Sequence, residues 1–308
     1  MSSPIDLSQL PAPDVVEELD YEDILAERKA RLIELTPEDE RADVAATLEL
    51  ESEPVTKLLQ ENAYREMTWR QRVNEAARAT MLPYASDTDL DNRAADTNTQ
   101  RLMIDPGDPN ATPPVDPTYE RDNALRLRTQ EAWEGLAPGT APGYEYTARS
   151  ADGRVRDVRC LSPEPADIRL VVLSHEGDGT ASPELLDIVD TAVHTEEGHI
   201  MGDRVMPVSA EIIDYRIDAR LQLYDDASPS KDLVLDEARR RLDAFVTMLH
   251  RHGRPLGVSL YTDAITGVLH VPGVMHVDLL SPADHLLIGP HQSLRCTGSQ
   301  IALGGTDE

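Results

Sequence analysis

The chain is predicted to be an α+β protein: an N-terminal long-helix arm or bundle, followed by mixed α/β domains with antiparallel sheet. Three observations predict this. No Gly or Pro interrupts the run from Pro54 to Met81. The stretch "EIIDYRIDARLQLY", Glu211 to Tyr224, alternates without a miss, which is the period of a half-buried strand. From residue 154 onward, strand-like and helix-like segments take turns, as they do in α+β folds.

The arm comes first. In "PAPDVVEELDYEDILAERKARLIEL", Asp14 is the expected N-cap, and Val15, Val16, Leu19, Ile24, Leu25, Leu32 and Ile33 are the expected apolar contacts. In "TPEDERADVAATLEL", Thr36 is expected to cap, Pro37 takes the first helical position and Asp39 follows three residues after the cap. The next helix starts at Pro54, after Ser52 or Glu53. It runs for roughly 28 residues and ~42 Å. Leu58, Leu59, Ala63, Met67, Val73, Ala76, Ala77 and Met81 recur on it at spacings near three and four. Its apolar side is thin and rich in Ala, so the arm is read as completed by another chain; a self-contained bundle is the alternative. Leu58, Leu59, Ala63, Met67, Trp69, Val73 and Ala77 are the candidate interface residues.

"SDTDLDNRAADT" predicts one more short helix from Asp87. "DPGDPNATPPVDP", residues 105–117, is a linker or an ordered loop that turns a corner. "TYERDNALRLRTQEAWEGL" restarts helix, with Thr118 as cap and Leu125, Ala132, Trp133 and Leu136 as its expected buried side. The expected division is 1–104 for the helical arm, 105–153 for the linker and connecting helices, and 154–308 for the α+β body. In that body "RVRDVRCLS", "DIRLVVLS" and "GVMHVDLLSP" read as strands. "SPELLDIVDTAV" reads as a capped helix, and "SKDLVLDEARRRLDAFVTMLHRHG" as an amphipathic helix leaving at Gly253.

Composition narrows the functions. With 57 acidic and 29 basic residues the net charge is −28, which repels nucleic-acid phosphates and anionic lipid. Solubility, or life in high salt, accounts for the charge more simply than a dedicated basic partner does. Lys occurs only at positions 29, 57 and 231. Two cysteines, Cys160 and Cys296, make no disulfide framework and fit a reducing cytoplasm. No apolar run approaches the ~18 residues of a membrane span. "MSSPIDLSQLPAPD" lacks the basic start and apolar core of a signal peptide.

Motifs for chemistry are weak. "HTEEGH" sets His194 and His199 five apart around Glu196 and Glu197; zinc proteases need His residues four apart on one helical face. His250 and His252 fall at a helix C-terminus, where cations complement the dipole. His270 and His276 flank a Pro-Gly turn. "GDGT" and "GGTDE" match neither a dinucleotide fingerprint nor a P-loop. No Gly-x-Ser-x-Gly elbow occurs, and no carboxylate pair stands out among so many. No catalytic residue, metal ligand or cofactor is expected. In "EYTARSADGRVRDV" Ser150 has no nearby His, so "ADGR" is read as a helix exit at Gly153 feeding the first strand, or as an Asp-Gly hairpin.

Four blocks carry a family resemblance: "LPAPDVVEELDYEDILAERKARLIEL", "LESEPVTKLLQENAYREMTWRQRVNEAARA", "YTARSADGRVRDVRCLSPEPADIRLVVLS" and "GVMHVDLLSPADHLLIGPHQSLRCTG". They resemble, in order and over nearly the whole chain, the baseplate J family of contractile-tailed phages and phage-tail-like, pyocin-like bacteriocins. The resemblance implies a structural wedge protein rather than an enzyme. Two copies would join one smaller protein of the tail protein I type, with residues about 50–82 in a shared helical bundle. Residues 154–308 would then form the ring-forming or dimerisation body. Six wedges, hence twelve copies, would ring the hub, next to a lysozyme-like wedge protein and the sheath, and couple baseplate rearrangement to sheath contraction. The implied place is the baseplate of a virion or tail particle, after synthesis in the host cytoplasm. The competing readings are a tail-associated hydrolase acting on cell wall or capsule, and a receptor-binding tail-tip protein.

Overall fold

The structure, a computed structural model, describes residues 7, 10, 11, 13–133, 137, 139–195, 202–224, 231–251 and 255–304. Two compact units emerge, Met1–Asn98 and Thr99–Glu308.

In the first unit the described residues form α1 (Tyr21–Leu35), α2 (Arg41–Leu48), α3 (Pro54–Ala79) and α4 (Asp87–Ala95). The cap of α1 is Asp20, whose carboxylate accepts from the backbone N–H groups of Glu22 and Asp23. This corrects the expectation for Asp14: residues 13–20 form no helix. Thr36 likewise caps no helix start. It closes the C-terminus of α1, its hydroxyl donating to the Leu32 carbonyl at 2.9 Å, and α2 begins after Glu40 instead. Pro54 opens α3 as expected, where a missing N–H costs nothing. Ile24, Leu25 and Ala63 form the small core where α1 meets α3, with Tyr21, Leu59 and Met67 packed against it.

Among the described residues, the second unit holds three small sheets. β1 (Met103–Asp105) and β2 (Thr118–Tyr119) pair antiparallel, and Asp108 bridges to Val115. The Pro-rich segment between them is therefore an ordered loop. β3 (Val155–Glu164) and β4 (Asp167–Ser174) pair antiparallel, and β4 pairs parallel with β5 (Arg204–Ser209). β6 (Glu211–Leu223) lies between β7 (Val274–Ser281), antiparallel, and β8 (Gln292–Leu303), parallel. The strongly alternating strand is thus the centre of a mixed sheet.

Helices cover these sheets: α5 (Asp122–Trp133), α6 (Ala141–Ala151), α7 (Pro183–Val193), α8 (Lys231–Arg251) and α9 (Thr262–Leu269). Ser182 caps α7 by accepting from Leu185 N–H. Tyr144 and Ala148 of α6, and Leu185, Val189 and Val193 of α7, pack on one face of β4 through Leu170 and Val172. Val171 and Leu173, on its other face, meet Ala210 and Leu256. β4 is buried on both faces, which is why "LVVL" is a continuous apolar run. The second core gathers Ile217, Leu221 and Leu223 of β6 with Val234, Ala238 and Leu242 of α8 and Ile265 and Leu269 of α9.

The face of α5 differs from expectation. Leu125 is buried, but Trp133 is 54% exposed, and Leu136 lies outside the described residues. The buried side of α5 is polar: Arg128 pairs with Glu120, and Glu131 with Arg149. Buried guanidiniums and carboxylates that satisfy one another can occupy positions an apolar pattern would claim.

"ADGR" is scaffold. α6 ends at Ala151, and the Asp152 carboxylate accepts from the backbone N–H of Arg154 at 2.8 Å and from its guanidinium. Gly153 serves close approach rather than helix exit: a Cβ there would lie 2.0 Å from the Met103 carbonyl oxygen. Backbone cannot yield as a flexible side chain can, so Gly153→Ala is expected to destabilise the fold by about 1–3 kcal/mol. A lowered denaturation midpoint with unchanged slope is the readout, and an unchanged midpoint would show that the β1 backbone moves freely.

Candidate interaction surface

α3 presents two different faces. Its 26 residues extend about 39 Å. One face is covered by its own chain, which runs antiparallel to it. Tyr84 donates to the Pro11 carbonyl at 2.9 Å. The Asn74 side chain clamps Glu17, donating to its carbonyl at 2.9 Å and accepting from its N–H at 3.1 Å. Asn74 is buried, and this two-way bond compensates for losing water. Farther along, Glu66 accepts from Arg28 of α1 and from Arg70, one turn on. Hydrogen bonds from Arg70 and then Arg28 hold the Glu66 carboxyl below its usual range.

The other face is bare. Leu58 and Val73 are each 60% exposed and Trp69 is 70% exposed, with Val55 beside them also exposed. At about 100° per residue, Val55, Leu58, Trp69 and Val73 fall within a stripe about 60° wide. Its centre is turned about 110° from the face that α1 covers. Asn62 and Arg65 interrupt it midway, so the apolar surface is strongest at the two ends of the helix.

The candidate residues therefore separate. Leu59, Ala63 and Met67 lie against α1 of the same chain, and Ala77 is half-buried. Leu58, Trp69 and Val73 are brought together on the open stripe. Val55 belongs with them although sequence reasoning left it out; its signal was the three-residue step to Leu58 just after the helix start.

The positions weighed for chemistry are scattered. The ring of His194 hydrogen-bonds the Asp190 carbonyl at the end of α7, while Glu196, Glu197, His199 and His252 lie outside the described residues. His270 ends α9, and His276 faces Asp278 at 3.1 Å. Among the described residues, no group of three or more His, Cys, Asp or Glu side chains converges as a metal site. No described helix is long and apolar enough to cross a membrane.

Known proteins resemble this chain along its whole length. Residues 51–108, which include α3, match the family model of the Baseplate J-like N-terminal domain. Over 305 residues the chain is 49% identical to Baseplate protein J of Escherichia phage P2, covering 99% of each. A chain in the cryo-EM structure of the anti-feeding prophage baseplate, 6-fold symmetrised, is similar with a TM-score of 0.38 and 14% identity. That match spans 59% of this chain and 43% of the other.

The two faces of α3 predict opposite phenotypes. Ala63→Leu should overpack the α1 contact and destabilise the first unit by about 1–3 kcal/mol, whereas Trp69→Asp should leave it unchanged; amide exchange over α1 and α3 distinguishes them. Acid should loosen the same contact. Glu66 has a depressed pKa, so its contribution is present above the ordinary carboxyl value of 4.5 and is lost as the pH falls through the lower folded value. Glu66→Gln should flatten this part of the exchange profile, and an unaltered profile would remove Glu66 from the acid response.

Proposed function

This chain belongs to the baseplate J family, and we propose that it is a structural component of a contractile-tail baseplate. The observation that carries this reading is its 49% identity to a Baseplate protein J over 99% of both chains. A match of that extent leaves no room for large insertions or losses.

In finer detail, the proposed role is that of a wedge protein. Two copies join one smaller wedge protein of the tail protein I type through α3, and the α+β body joins neighbouring wedges around the hub. Rearrangement of that ring is coupled to sheath contraction. The site of action is the baseplate of a tail particle. Support for the helical contact comes from the open stripe at Leu58, Trp69 and Val73. Trp69 and Val73, one turn apart, leave an indole and an aliphatic side chain in water together, and aromatic anchors dominate protein interfaces.

The test is the native mass of the chain co-expressed with its smaller partner. A complex of two copies with one partner is expected for the native chain. The double variant Trp69→Asp, Val73→Asp should fold but lose the complex, because an unpaired carboxylate at a closing interface costs several kcal/mol. Retention of the complex by that variant would remove the stripe from the contact. A native chain that stays monomeric beside its partner would overturn the wedge arrangement.

A further inference from the structure

In the second unit, a cavity of about 520 Å³ opens between the β1–β2 pair, α5 and the start of β3. Its lining reverses the charge of the molecule. Four arginines, Arg121, Arg128, Arg149 and Arg156, line it with His175, and among the described residues Glu120 is the one acidic group in the wall. Over the whole chain acidic residues outnumber basic ones by 57 to 29. Two of the arginines are already engaged by carboxylates of the chain. Arg128 bonds Glu120 through both its Nε and its Nη2, and Arg149 Nη2 reaches both oxygens of Glu131 at 2.6 Å. Arg121 stands exposed at the cavity mouth, and Arg156 is half-buried in the wall. Asn123, Ala124 and Leu127 of α5 also line the cavity, so one side of that helix forms part of the wall.

Desolvation, and after it the charges of Arg156 and Arg121, hold the pKa of His175 below its ordinary value. The ring adds no positive charge near pH 7, while the guanidiniums remain charged. The cavity lies within the ~300–1,000 Å³ range of small-ligand sites. Leu102, Ile104 and Leu127 give it apolar walls beside the cationic ones.

We propose that this cavity is an anion site that takes a carboxylate group. Planar guanidiniums fit a carboxylate fork, and the apolar walls fit the carbon skeleton that carries it. The carboxylate has two possible sources, a free polycarboxylate or an acidic peptide segment such as those on another copy of this chain.

Calorimetric titration of the full chain distinguishes the sources. One arm uses citrate. The other uses a synthetic peptide of sequence EELDYED, which matches residues 17–23. One probe is expected to bind at a single site, more weakly as salt is added. Arg121→Ala should weaken that binding by about tenfold or more, Arg121→Lys should retain part of it, and Arg65→Ala, in the first unit, should leave it unchanged. Binding should also raise the His175 pKa, seen by NMR, because a nearby anion favours the imidazolium. Citrate binding without peptide binding supports a free anion; tighter peptide binding supports a polypeptide source. The proposal is overturned if neither probe binds at millimolar concentration, or if Arg121→Ala and Arg65→Ala weaken binding equally.

Discussion

β6 pairs on both edges, and its side chains alternate between core and solvent from Ile213 to Leu223. A slip of one residue against either neighbour would carry Tyr215, Ile217, Ala219, Leu221 and Leu223 out of the core and bring Arg216, Asp218, Arg220 and Gln222 in. The register is thus fixed from two sides. Asp214 reinforces it by receiving Arg295 of β8 through two bonds at 2.6 and 2.7 Å. α8 and α9 find their places on the face that this register creates. With Phe245 the lone phenylalanine in the sequence, the core depends on many aliphatic contacts instead of a few large rings, so a shift in register would disturb most of them together.

The first unit has a different constraint. α3 is too long for the apolar surface its own chain supplies. α1 and the segment before it cover one face through a small core, one buried Asn clamp and one charge cluster. The remainder is mostly hydrophilic apart from Tyr64 and the stripe at Val55, Leu58, Trp69 and Val73. A helix of this length draws its stability from packing more than from propensity, and the stripe is surface that its own chain leaves unpacked. The family match over residues 51–108 falls on this element.

Much of this was legible in the sequence, for identifiable reasons. β6 and α3 have long, uninterrupted periods; β4 has a continuous apolar run; α7 has a Ser-Pro start. β5 and β8 escaped because their patterns are broken. β5 carries Pro207, tolerated because this strand pairs only with β4 among the described strands. β8 mixes Thr297, Gly298, Ser299 and Gln300 into its middle and buries few of its side chains. Caps at Asp14 and Thr36 were misplaced because acidic and hydroxyl residues are so frequent that several positions offer the same local chemistry. On α3 the period located the helix, but neighbouring apolar residues serve opposite faces, and only packing separates Leu59 from Leu58.

The buried face of α5 was hidden for a more general reason. Apolar periodicity finds interiors made of hydrocarbon, and this interior is partly ionic. Arg128 with Glu120 and Arg149 with Glu131 have side chains no more than 9% exposed. Such pairs contribute little net stability against a hydrophobic replacement, but losing either partner strands a charge. Each pair carries one base and one acid inward together, so it hides both charges from solvent without altering the charge balance of the exterior.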